Sequence, residues 1–336
     1  MPSRSSLYTR TTIASCHMGP VFSLSVSKGG SFIASGGMYS MESTGGDLTR
    51  VMAGADKVKI WDVSLRKERL SPAVNGFRGP ATALAWLYND GPEQTLIFGT
   101  LYGYVACWKQ SAIRGGEFRE ISLKALSSPS EVTSVVFDPL GAKVAIVNDR
   151  NEMHLYRVDG NFRLLNVFTI VLPDAAVRDL AFVSRERGKS DEILAFGMDS
   201  NVIRVINAKD GTISRRYEVQ GNILAAQVHR AAGVVAIYLY QHSQGQQPII
   251  STVALYRLGD FTRIRAFPME CQHDYVKSCQ VALFPDAKQV VCGGGNGLIT
   301  VFDRKTGKRV ESLQINSQDE WVQLVTVFAF CCTIAL

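Results

Sequence analysis

The side chains able to do chemistry are scattered along this chain. Its five histidines, His17, His154, His229, His242 and His273, show no H-x-H or H-E-x-x-H spacing that would set two imidazoles on one face for a metal. Its seven cysteines are Cys16, Cys107, Cys271, Cys279, Cys292 and the adjacent Cys331-Cys332, with no C-x-x-C pair to begin a zinc or redox site. A nucleophile elbow of the G-x-S-x-G type is absent. The run Cys292-Gly293-Gly294-Gly295-Asn296-Gly297 could cradle a phosphate if it opened a helix and ended in Gly-Lys-Ser/Thr. It leads instead into Leu298-Ile299-Thr300-Val301, a strand-like run, so a hairpin turn is the reading. Arg185-Glu186-Arg187-Gly188-Lys189 reads as a solvated loop of mixed charge. These residues give no catalytic set, no metal and no cofactor, and the chain is read as not an enzyme.

What must position any functional residue is a large apolar core. The chain has 336 residues, 46% hydrophobic and 20% charged, which excludes disorder as the dominant state. The net charge of +6 is spread over pairs such as Arg215-Arg216, Arg304-Lys305 and Lys308-Arg309 with acids between them. A dedicated nucleic-acid binder concentrates its charge in one stripe, so no specific nucleic acid is expected. The start, Met1-Pro2-Ser3-Arg4-Ser5-Ser6, is polar and unlike a signal peptide, and no N-x-S/T sequon occurs. With the unpaired cysteines, these features point to a reducing, cytoplasmic setting, with the nucleus also open.

Turn pairs recur throughout: Gly29-Gly30, Asn89-Asp90-Gly91, Asp210-Gly211, Asn296-Gly297 and Thr306-Gly307. Between them lie short runs of β-branched and aromatic residues in alternation, such as Val21–Val26 and Val132–Phe137. No stretch carries a capped helical period, so the chain is all-β. The strands group into a repeat. Cys16–Leu24 aligns without a gap on Gly76–Leu84, Gly19-Pro20 upon Gly79-Pro80. Equivalent strand starts follow at Val132, Val177, about Ile223, Val276 and Val322, at intervals of 60, 51, 45, 46, 53 and 46 residues. Third strands end alike on a large apolar residue and then, in each unit, a polar one: Trp61, Trp108, Tyr156, Ile206, Tyr256 and Phe302.

This pattern resembles the WD-repeat β-propeller family over roughly residues 7 to 325, best at Trp61-Asp62 and at Asn296-Gly297…Phe302-Asp303. The resemblance implies a propeller of four-stranded antiparallel blades, six complete and a seventh partial. It divides the chain into an N-terminal segment 1–15 holding a possible ring-closing strand, a propeller 16–325, and an apolar tail 326–336. In the family a His, a Ser or Thr, an Asp and the Trp form a hydrogen-bonded set that ties a blade together. Carried over, the set is His17, Ser35, Asp56 and Trp61 in the first unit. Phe77 stands in place of the His in the second and Ile206 in place of the Trp in the fourth, so those blades are expected to rest on apolar packing alone.

The resemblance also implies a scaffold for protein–protein interaction, whose partners are proteins or peptides. Two insertions, Met38–Ala53 and Gln241–Pro248, fall between second and third strands and so decorate one face. On that face Arg78, Tyr102, Arg150, Asp199, Tyr275 and Trp321 are the expected partner-binding residues. Two alternatives stand beside the scaffold: a propeller enzyme with an unrecognised site, and a scaffold tethered to a membrane through its C-terminal tail. From Trp321 onward 13 of 16 residues are apolar and none is charged, which is short of the ~20 a spanning helix needs. The tail is read as a seventh blade cut off after its first strand or two, with Leu7–Ile13 placed to pair into it. Exposed sheet edges there would favour association.

Overall fold

Each third strand closes on a large apolar side chain, and the sheet is built around that residue. Strands buried on both faces read as continuous apolar runs, whereas a strand with one wet face alternates. Second strands such as Phe32–Gly37 are buried throughout, and fourth strands such as Ile213–Glu218 alternate toward solvent. The computed structural model describes residues 21–27, 29–37, 58–69, 71–72, 76–87, 93–112, 116–173, 176–183, 191–198, 200–241, 250–269, 279–294, 297–314, 324–328 and 333–335.

Among the described residues the chain is all-β and contains six four-stranded antiparallel sheets, each with its strands in sequence order, which is the blade of a β-propeller. The first is β1 (Val21–Val26), β2 (Phe32–Gly37), β3 (Lys59–Asp62) and β4 (Lys67–Arg69). The second is β5 (Ala81–Leu87), β6 (Thr95–Thr100), β7 (Tyr104–Gln110) and β8 (Phe118–Ala125). The third is β9 (Val132–Asp138), β10 (Lys143–Asn148), β11 (Glu152–Val158) and β12 (Leu164–Val171). The fourth is β13 (Val177–Val183), β14 (Glu192–Gly197), β15 (Val202–Asn207) and β16 (Ile213–Glu218). The fifth is β17 (Asn222–His229), β18 (Val234–Gln241), β19 (Ile250–Arg257) and β20 (Arg263–Met269). The sixth is β21 (Val281–Leu283), β22 (Gln289–Gly293), β23 (Leu298–Asp303) and β24 (Arg309–Gln314).

The chain divides into two compact units, His17–Ala225 and Ala226–Leu336 together with Met1–Cys16. In the first unit neighbouring sheets pack face to face through apolar layers. Phe32 and Ile60 of the first sheet meet Trp86 and Phe98 of the second, and Ile97 of the second meets Val135 and Ile146 of the third. Met153 and Leu155 meet Phe182 and Ile193 in the next layer. Two glycines permit this approach. A Cβ on Gly36 would lie 2.6 Å from the Ala81 carbonyl oxygen, and one on Gly99 would lie 2.2 Å from Val132 Cγ1. Both stand near the end of a second strand, where the next first strand crosses closest.

The register reading holds in most places. First strands begin at Val21, Ala81, Val132 and Val177 as the repeat implies, and β17 begins one residue before Ile223. The six large residues Trp61, Trp108, Tyr156, Ile206, Tyr256 and Phe302 are all buried in their third strands. In five of the six sheets the fourth strand bulges at that residue, for example between Cys107 and Trp108. A bulge there makes room for the side chain without breaking the pairing elsewhere.

One expectation is corrected. The sixth sheet begins at Val281, not Val276, because Cys279 and Gln280 lead into it as irregular backbone. A partial seventh blade is not shown among the described residues. After β24 the described residues hold only a hairpin, β25 (Thr326–Phe328) with β26 (Thr333–Ala335), each three residues long. Val325, leading into it, packs with Ala282, Phe284, Val291, Ile299 and Val301 of the sixth sheet. The Leu7–Ile13 segment and both insertions, apart from Gln241 at the end of β18, lie outside the described residues.

Candidate functional site

Four first strands share an irregularity at their second residue. The pairing of β1 with β2 slips between Val21 and Ser23, that of β5 with β6 between Ala81 and Ala83, and that of β13 with β14 between Val177 and Asp179. In the third sheet Val132 and Ser134 pair with Asn148 and Val147, which skips Thr133. A bulged residue is re-aimed out of the ladder. The four so re-aimed are Phe22, Thr82, Thr133 and Arg178. The two threonines fasten one sheet to the next: Thr82 Oγ1 donates to the Val132 carbonyl at 2.6 Å, and Thr133 Oγ1 to the Val177 carbonyl at 2.8 Å. Phe22 and Arg178 remain exposed.

The turns beside these bulges are held in place from several sides. Gly103, at φ 77°, packs so closely on the segment ahead of β9 that a Cβ would lie 2.7 Å from the Ser128 carbonyl oxygen. Tyr102 lies against Gly79, whose Cβ would be 2.9 Å from the ring. In the β10–β11 turn Asn148 Oδ1 accepts from the Arg150 N–H at 3.1 Å and from the Glu152 N–H at 2.9 Å. Asn151, at φ 62°, accepts through Oδ1 from the Val177 N–H at 3.1 Å and so ties that turn to the fourth sheet. Ser130 donates to the Asp149 carboxylate, and Ser128 donates to Glu152 at 3.0 Å. The Asn148 amide also donates to Glu152 at 2.9 Å, and with Ser128 it holds that carboxyl below its usual range.

Glu131 sits at the centre of this rim, directly before β9. Burial raises its carboxyl above the ordinary range, the charge of Asp149 adds to the rise, and Arg178 opposes it. A half-buried acid thus lies between an exposed arginine and a second acid. The arrangement offers hydrogen bonding and charge on a rigid platform. It offers no nucleophile set against a base.

The residues singled out by sequence separate here. Tyr102 and Arg150 stand in corresponding turns of adjacent sheets, on the face that carries Glu131 and Arg178. Arg150 is exposed. Arg78 is buried: its guanidinium pairs with both carboxylate oxygens of Glu120, one at 3.1 Å, and lies over the Phe77 ring at 5.4 Å. Asp199, Tyr275 and Trp321 lie outside the described residues. So do His17 and Asp56, which leaves Ser35 and Trp61 of the four-residue set. The Trp61 indole N–H donates to Ser35 Oγ at 3.4 Å, as the resemblance implies.

The expectation that the second and fourth blades rest on apolar packing alone is overturned. In the second, the Trp108 N–H donates to Glu120 at 3.4 Å and Glu120 holds Arg78, so a charged relay replaces the neutral set. In the fourth, Arg215 donates to both oxygens of Glu192 at 2.8 and 2.7 Å. Buried polar atoms need partners, and a strand position that lacks one kind of donor recruits another. Sequence reasoning missed Glu120, Glu131 and Arg178. For Arg178 the signal was available, because it follows the strand start Val177 as Thr82 and Thr133 follow theirs.

Elsewhere, in Ala226–Leu336, a groove of about 250 Å³ lies between Pro268, Met269, Leu298, Thr300, Phe302 and Arg309. Among the described residues no three His, Cys, Asp or Glu side chains converge to hold a metal, and no helix is long and apolar enough to cross a membrane. No family model matches the chain, and no curated protein matches it. The fold by itself defines the class, an all-β protein built of propeller blades.

Proposed function

We propose that this chain is a non-catalytic scaffold of the WD-repeat kind, binding other proteins or peptides through the turn-bearing face of its blades in the cytoplasm. The observation that carries the reading is the rim at the start of β9. Exposed Arg178 on β13 offsets the charge of the half-buried Glu131, and exposed Arg150 follows Asp149 in the β10–β11 turn, which Asn148 and Asn151 hold rigid. A pre-ordered surface loses little conformational entropy on binding, and arginine and tyrosine dominate interface energetics where they fill a partner's pockets. The six buried residues at the Trp61 register support the WD-repeat assignment.

The test is capture from cell extract with nucleotide and metal omitted, comparing the chain with the double variant Arg150→Glu/Arg178→Glu. Both side chains are exposed, so the variant should keep its circular dichroism, with a modest fall in melting temperature because Arg178 no longer offsets the Glu131 charge. Partners retained by the natural chain should fall at least about tenfold on the variant, the loss expected from one or two interface hot spots. Undiminished capture by the variant would remove this face from the proposal.

A further inference from the structure

The fourth strand of each sheet is its outer edge, with a row of backbone groups open to another strand. Proteins blunt such edges with charge, proline or a bulge. In five of the six sheets the bulge opposite the large third-strand residue serves the first half of the edge, so the exposed risk lies in the stretch after it. In β8 that stretch carries Lys124, in β16 Arg215, Arg216 and Glu218, in β20 Arg265 and Pro268, and in β24 Glu311. The short β4 is Lys-Glu-Arg throughout.

β12 is the exception. Its sequence is Leu-Leu-Asn-Val-Phe-Thr-Ile-Val, with no charge and no proline over eight residues. After the bulge, Phe168, Thr169, Ile170 and Val171 run in unbroken register against Leu155 to Glu152 of β11, and nothing pairs on their other side among the described residues. Leu165 and Val167 are 41% exposed and Val171 is 68% exposed. Phe168 and Ile170 pack back against the apolar layer shared with the fourth sheet.

We infer that β12 is a self-association edge, and that two copies of this chain pair β12 against β12, antiparallel, about a twofold axis. Charge decides the occupant. An antiparallel strand laid on its own copy brings each end of the strand against the other end and the middle against itself. Any other outer strand of this chain would thereby bring like charges close, or meet a proline, whereas β12 meets only uncharged side chains. The twofold pairing also closes the edge, so association stops at two. The pairing uses the outer rim of the third blade and is independent of the turn-face reading above.

Sedimentation of the full chain over about 1–200 µM, the range in which a small interface associates, reads the mass directly. It should rise from 36.8 kDa to twice that value. Hydrogen exchange should show the Thr169 and Val171 amides, which point away from β11, gaining protection over the same range. Val171→Lys places a charge on the exposed edge and should weaken the dimer at least about tenfold, the cost of burying an unpaired charge at an interface. Ile213→Lys, on the already charged β16, should dimerise like the natural chain. Unchanged circular dichroism verifies that each variant folds, and the exchange measurement on the natural chain stands if one does not. A natural chain that stays at 36.8 kDa, a mass that climbs past two copies, a Val171→Lys variant that dimerises as before, or a dimer formed without protection of these amides overturns the inference.

Discussion

The first and second blades place a tryptophan at the same register and fasten it differently. Trp61 gives its N–H to the neutral hydroxyl of Ser35, one strand inward on β2. Trp108 gives its N–H to the carboxylate of Glu120, one strand outward on β8, and Glu120 in turn holds Arg78 from the turn ahead of β5. The first blade has its own ion pair close by, but it serves the β3–β4 turn: Asp62 accepts from Ser64, Leu65 and Arg69. The position of the large side chain is thus a property of the repeat, whereas the partner for its polar atom is settled blade by blade. A charged fastening is the more fragile of the two, because removing one member leaves the other desolvated and unpaired.

The largest break in that comparison should come from Trp108→Ala. Trp108 is fully buried, with Phe98 edge-on at 4.9 Å, so the cavity should cost about 3–5 kcal/mol in urea denaturation. Trp61, which keeps slight exposure, should cost less. A second readout is local. Burial, and then the charge of Glu120, pushes the neighbouring Cys107 thiol up to about 12, so Cys107 should resist alkylation in the natural chain and become labelled in Trp108→Ala. Equal losses at the two tryptophans would erase the distinction.

Arg78→Leu comes next. It strands the Glu120 carboxylate, whose side chain is 28% exposed, so the loss should be about 2–3 kcal/mol, below that of a wholly buried pair. Adding Glu120→Leu should recover part of it, since no charge is then left unpaired. A double variant worse than the sum of its parts would mean that apolar side chains cannot fill this site. Ser35→Ala in the first blade should cost only about 0.5–1.5 kcal/mol, the worth of one neutral hydrogen bond. A loss as large as that of Arg78→Leu would count against the comparison.

The smallest effects should appear as pH dependence, with opposite signs at two carboxyls. Burial alone would raise Asp62, but the hydrogen bonds from Ser64, Leu65 and Arg69 hold it below its ordinary value of 3.8. Its contribution is therefore present above that value and lost as pH falls through the lowered one. Asp62→Asn should flatten this acid limb in a stability-versus-pH series. Glu131 is raised above its ordinary 4.5, so the folded chain holds that proton more tightly and stability declines as pH rises through the window above 4.5. Glu131→Gln should abolish that decline and leave the protein slightly more stable at neutral pH. No difference from the natural chain at neutral pH would mean that the Glu131 carboxylate is well compensated by Arg178.

The repeat, the four-strand unit and the large residue at each third strand were legible in the sequence, because a strand buried on both faces must be apolar and a turn must carry glycine, asparagine or aspartate whatever surrounds it. Starts at Val21, Ala81, Val132 and Val177 followed from that alone. The same logic failed in the sixth sheet, whose first strand begins at Val281 and not at Val276. Other facts depended on tertiary contact. Arg78 and Glu120 are 42 residues apart, and no local pattern joins them. Arg150 and Arg178 reach one rim only because the third and fourth sheets pack face to face, with Asn151 tied to Val177. Local physics of the chain therefore determined the blades, while the partners of their buried polar atoms and the make-up of the turn face were decided by which blade lies against which, since a hydrogen bond depends on distance in space and sequence records only order along the chain.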